Sequence, residues 1–305
     1  MTIFYSENVR LELDLKLTVG ECPLWSVAEQ ALYFVDIVGK KIFRFDPATQ
    51  NLQKWDAPEE PGCIALMPQQ KLMVALRSGF APFDTKSHKW GEILKIDHDT
   101  KQFRFNDGRC DAIGRFWAAT MFEPRTDALA ALYCLERGHI HRILGPENDQ
   151  GVKVGNGLAF DGKNGFFYRA DTPNHTIFRH KFDVAHRQLE KAEIFYRAKD
   201  NRQDQDYQGR PDGAAIDSEG YYWSAQFEGG RILRFDPKGV ICGEIRVPAR
   251  RTTMLAFGGR DLRRLYITTA REGASPEELA KYPLSGAVFS IEVPFSGLPE
   301  PEYLE

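Results

Sequence analysis

The chain has 305 residues, of which 42% are hydrophobic, 27% charged and 12% aromatic, and its formal net charge is -3. That slightly acidic balance offers no basic face, so nucleic acid and anionic lipid are excluded as expected partners, and no stretch approaches the ~20 consecutive apolar residues of a membrane-spanning helix. Five cysteines with no CxxC spacing speak against a disulfide framework or a structural zinc site. With no leader-like apolar segment at the start, the expectation is a cytoplasmic protein, a single domain over residues 1–305, and a monomer or weak homo-oligomer.

In chain order, VRLELDL (Val9 to Leu15) alternates like a strand but precedes any repeating unit. Six apolar runs closed by a small polar residue then follow, starting at Leu32, Leu72, Phe116, Phe166, Tyr221 and Leu265. The intervals of 40, 44, 50, 55 and 44 residues have the size of propeller blades. Behind each run lies a second strand-like stretch ending on an acid, namely Asp46, Asp84, Glu136, Asp183, Asp236 and Glu292, and turn-rich residues follow. The one good helix signal is SPEELAKY, with Ser275 as N-cap and Glu277 and Glu278 in the first turn.

Six units with room for four short strands predict an all-β chain, a six-bladed β-propeller. The orphan segment at Val9 to Leu15 is expected to pair with strands from the C-terminal end and so close the ring.

About ten residues before each run stands a second phased set: Glu21, Cys63, Asn106, Asn156, Asp212 and Met254, at offsets of 11, 9, 10, 10, 9 and 11. A common offset places all six at one level of the innermost strands, which line the central channel. Four of them carry oxygen, and carboxylates with amides suit a hard divalent cation. Asn156-Gly157 and Asp212-Gly213 also read as hairpin turns when taken singly. Glu21 has no such turn signature, and the shared phase favours a site.

The passages GECPLW, FNDGRCDAIGRFWAATM, NGLAF, PDGAAIDSEGYYW and FGGRDLRRLYITTAREG resemble, in order and from about Leu17 to Val293, the senescence marker protein/gluconolactonase (regucalcin-like) family of six-bladed propeller lactonases. The resemblance implies hydrolysis of a sugar lactone such as a glucono-, xylono- or arabinolactone. It implies one divalent metal held by Glu21, Asn156 and Asp212, with calcium first and zinc, manganese, magnesium or iron(II) as alternatives. Arg104 and Asn106 match the family's substrate-binding positions, and Glu123 is the nearest match to a further acid, although Pro124 disturbs its register. Asp212 is the expected general base, with a hydroxide on the metal as the competing nucleophile. The family's Gly-Glu-Gly-Pro becomes Gly20-Glu21-Cys22-Pro23, and Cys22 reads as packing. Two other readings stand beside this one: a non-catalytic metal- or partner-binding propeller, and a phosphotriesterase-like hydrolase.

Overall fold

The computed structural model describes residues 3–4, 8–204 and 207–305, with the backbone alone at residues 3 and 4. Six sheets follow one another along the chain, antiparallel except where Ile3–Phe4 adds a parallel edge strand to the fifth, and apart from the two N-terminal strands the first strand of each sheet in sequence lies innermost. The inner strands are Gly20–Ser26, Pro61–Met67, Phe103–Cys110, Gly155–Asp161, Arg210–Ile216 and Thr252–Gly258. The six apolar runs form the second strand of each blade, and the stretches with acidic ends form the third. The only α-helix among the described residues is Pro276–Lys281, where Ser275 Oγ accepts the Glu278 N–H.

Radial packing explains the aromatic content. Each blade presents a ring to the next: Trp55 to Phe83, Phe80 to Phe105, Trp117 to Phe167, Tyr168 to Tyr222, Trp223 to Phe257, and Tyr266 back to Trp25, at centroid distances of 4.7 to 5.8 Å. Six blades thus share six aromatic junctions, and the last of them joins the final blade to the first. Ring contact at such pairs is worth ~0.5–1.5 kcal/mol beyond the burial of area.

The strand Arg10–Leu13 is the outermost strand of the sixth blade and pairs with Val288–Glu292 through Arg10↔Ser290, Leu11↔Phe289 and Leu13↔Val288. The ring is therefore closed as the orphan segment predicts. Two turns after inner strands are held by an identical device. Asp111 and Asp217 each accept two backbone N–H groups through Oδ1 and, through Oδ2, the indole N–H of the tryptophan six residues later, Trp117 or Trp223. All five cysteines are free, and Cys22, buried, accepts the Ile64 N–H on its sulfur at 3.2 Å. Burial pushes that thiol far above its ordinary range, which fits a packing role.

The far end of the channel is plugged. The C-terminal segment crosses it, with Tyr303 N donating to Leu66 O at 2.7 Å, Leu304 N to Gly114 O at 3.0 Å, and Glu300 paired with Arg109. Arg109 in turn donates to Leu158 O and Ala214 O, tying the inner strands of blades three, four and five together.

Candidate functional site

Every inner strand carries a register break, and the breaks fall at the phased positions: Glu21/Leu24, Pro61/Cys63, Phe105/Asp107, Asn156/Ala159, Pro211/Ala214 and Thr252/Met254. A bulge re-aims a side chain out of strict alternation, and at four of the six breaks the phased side chain, Glu21, Asn106, Asn156 or Asp212, reaches a cavity. Asn156-Gly157 and Asp212-Gly213 lie inside strands, not in hairpins. At Gly157 the backbone is left-handed (φ 64°), and a Cβ there would collide with the Tyr222 hydroxyl. The glycine serves the bulge rather than a turn.

Glu21, Asn106, Asn156 and Asp212 line an open-mouthed cavity of about 560 Å³, mouth included. Cys63 and Met254 are fully buried and do not line it. The split between oxygen-bearing and sulfur-bearing positions in the sequence is thus a spatial one.

A directional hydrogen-bond chain fixes the amides. Arg104 Nη1 donates to Asn106 Oδ1 at 2.8 Å, Asn106 Nδ2 to Asn156 Oδ1 at 2.7 Å, Asn156 Nδ2 to Thr172 Oγ1 at 2.7 Å, and Thr172 Oγ1 to Pro211 O at 2.7 Å. Each amide oxygen keeps a second lone pair for a ligand. Thr172, which follows the second strand of blade four, is a residue the phased set does not contain.

The two carboxylates are poorly compensated. Glu21 accepts one N–H, from Cys22 at 2.8 Å, and the Asp212 carboxylate accepts none among the described residues. Burial, then the charges of Asp212 and Asp107, push Glu21 well above the usual carboxylate range. Burial, then Asp107, does the same to Asp212. Two buried carboxylates with so few donors fit a cation between them, since its charge offsets both desolvation and repulsion. Among the described residues no three His, Cys, Asp or Glu side chains gather as a metal cluster. The oxygen set here is two acids and two amides.

Glu123 stands apart from this set. Its carboxylate takes two hydrogen bonds from Arg77, at 2.8 and 3.1 Å, and lies 3.9 Å from Arg104 Nε, outside the cavity lining. The lining also contains Arg125, Arg210, Glu272 and Phe227, which come from blade ends and connecting loops. Arg210 sits two residues before Asp212, as Arg104 sits two before Asn106, and that shared offset is the one sequence signal that points to it.

The SMP-30/gluconolactonase/LRE-like family model matches residues 19–271. The chain belongs to this family. It is 43% identical to a 6-deoxy-6-sulfogluconolactonase of Pseudomonas putida, over 97% of this chain and 98% of the relative. It is 34% identical to a putative sugar lactone lactonase of Bacillus subtilis, over 94% and 98%. Human regucalcin is 31% identical over 89% of this chain and 90% of its own. Among solved structures, a calcium-binding regucalcin from Agrobacterium tumefaciens superposes over the full length of both chains with a TM-score of 0.92 at 23% identity, which establishes the shared fold. The family and these relatives make the chain a lactonase.

Proposed function

We propose that this lactonase hydrolyses an aldonolactone, of the glucono-, xylono- or arabinolactone kind, to the open acid with the help of one divalent cation. The observation that carries the reading is the convergence of Glu21, Asn156 and Asp212 on one cavity that Arg104 and Asn106 also line, with Arg104, Asn106 and Asn156 joined by hydrogen bonds. Their oxygens suit calcium first, and zinc, manganese, magnesium or iron(II) next. A cation held by Glu21, Asn156 and Asp212 supplies Lewis-acid polarisation of the lactone carbonyl.

The chain's own residues do the rest. Arg104 and Asn106 hydrogen-bond the ring hydroxyls and set which carbon faces those three residues. Glu123, whose hydrogen bonds come from Arg77, adds a negative charge beside Arg104. Asp212 takes a proton as water adds to the carbonyl carbon. The acyl–oxygen bond then breaks, and the same proton passes to the departing ring oxygen, leaving a hydroxy acid. The absence of hydrogen bonds to the Asp212 carboxylate among the described residues leaves lone pairs for water. The plug at the far end leaves entry and exit through one mouth.

The Asp212→Asn variant tests the assignment: kcat should fall by ~10³-fold or more with thermal unfolding unchanged within a few degrees. Wild-type turnover in a folded, metal-loaded variant would refute the role.

A further inference from the structure

Three guanidinium groups line the cavity, those of Arg104, Arg125 and Arg210, which is one more cationic layer than a neutral sugar ring calls for. Arg104 spends its Nη1 on Phe105 O and Asn106 Oδ1, which leaves Nη2 for the ring. The other two also have donors to spare. Arg210 gives Nη2 to Glu228 at 2.8 Å and lies 5.2 Å from the centroid of Phe227, yet its Nε is buried with no partner. Arg125 follows the strand Phe116–Phe122 in a left-handed turn (φ 59°), and its exposed side chain makes no hydrogen bond or ion pair among the described residues. Both arginines are near enough to Asp212 to act on its charge.

Three carboxylates line the same cavity, Glu21, Asp212 and the exposed Glu272, and a fourth, Glu228, pairs with Arg210 from outside the lining. Glu21 and Asp212 are the pair that a divalent cation would neutralise, so among the lining residues of a loaded cavity Arg104, Arg125 and Arg210 would stand against Glu272 alone. A guanidinium presents donors in a planar fork that matches an oxyanion and is poorly used on a lone hydroxyl. Phe227, flanked by Arg210 and by Arg251 at 5.5 Å, limits water on that side and strengthens any charge pair formed there.

Resting on the lactonase reading above, we propose that the substrate is an aldonolactone carrying a fixed oxyanion, a sulfonate or a phosphate ester, on carbon remote from the lactone carbonyl. Arg125 and Arg210 hold that oxyanion, while Arg104 and Asn106 hold the ring. Anionic lactones are thereby selected over neutral ones, and the selection weakens as salt rises.

The test compares glucono-1,5-lactone with its 6-phosphate and its 6-deoxy-6-sulfonate counterparts on the wild-type chain, on Arg125→Ala and on Arg210→Gln, with kcat and KM taken separately. In parallel, calorimetry measures binding of the corresponding open acids, gluconate and gluconate 6-phosphate. Wild type should favour at least one anionic lactone by about tenfold or more in kcat/KM, and should bind gluconate 6-phosphate about tenfold more tightly than gluconate. Each variant should cut that preference about tenfold through KM, and 0.5 M salt should narrow it. The better of the two anionic lactones identifies the oxyanion. Equal turnover of neutral and anionic lactones, or a preference that survives both substitutions, overturns the inference and leaves the lactonase reading standing. No hydrolysis of any of the three, with any divalent metal, overturns both.

Discussion

At the residue scale the site depends on amides that cannot flip. Thr172 Oγ1 donates to Pro211 O and accepts from Asn156 Nδ2, so the Asn156 amide turns its oxygen toward Asn106 and the cavity. Thr172→Val keeps the shape and removes the acceptor. It should weaken divalent-metal binding about tenfold, in the range found when groups that orient metal ligands are removed, while unfolding changes little. Calorimetric titration of the stripped protein checks this, and unchanged affinity would show that the amide is held by other means. Thr172 was hidden in the sequence because it lies just after a second strand, where blades share no phase. Glu21, Asn106, Asn156 and Asp212 were legible because a bulge at one level of every inner strand puts them at a nearly constant distance from the apolar run that follows.

At the scale of elements, the terminal segments do the work that repetition cannot. The strand Arg10–Leu13 was readable as a closing strand because it alternates and has no unit of its own. The C-terminal plug was not readable, since it has no periodicity and is held by backbone bonds and by side chains such as Tyr303, 1% exposed, whose hydroxyl accepts the Gly138 N–H at 3.1 Å. Tyr303→Ala should cost ~3–5 kcal/mol, as losing a buried aromatic does, and denaturant unfolding measures it. A loss below 1 kcal/mol would mean that the plug is not part of the cooperative unit.

Blade four carries a second test at this scale. His180 bonds Glu190 O through Nδ1 at 2.8 Å, and its Nε2 accepts from Arg169 Nε at 3.0 Å. Burial, then the Arg169 charge, pushes it down to about 4. The unfolded chain therefore binds this proton more readily, and stability is lost as pH falls from about 6.5 toward 4. His180→Gln, which keeps an acceptor for Arg169, should flatten that part of the stability–pH curve. An unchanged slope between pH 6.5 and 4 would exclude His180 as its source.

At the scale of the whole molecule, six similar blades build a frame and their departures from one another build the site. The frame was legible from spacing alone, and the aromatic junction at every blade boundary, including the last to the first, shows why the spacing persists. Arg125 and Glu272 were not legible, because they reach the cavity from connections between strands, where length and composition vary from blade to blade. The repeat thus reveals the floor of the cavity and leaves its rim unread, and the rim is where substrates are told apart.

The central claim is that this cavity opens a sugar lactone with the help of a divalent cation. Its most direct test follows acid release from glucono-, xylono- and arabinolactone, and from an anionic gluconolactone, after chelator treatment and add-back of single metals. Release above the spontaneous rate that vanishes on stripping and returns with a divalent cation, calcium first, is the predicted result. Undiminished release by the stripped protein, or none with any pairing of lactone and metal, would contradict it.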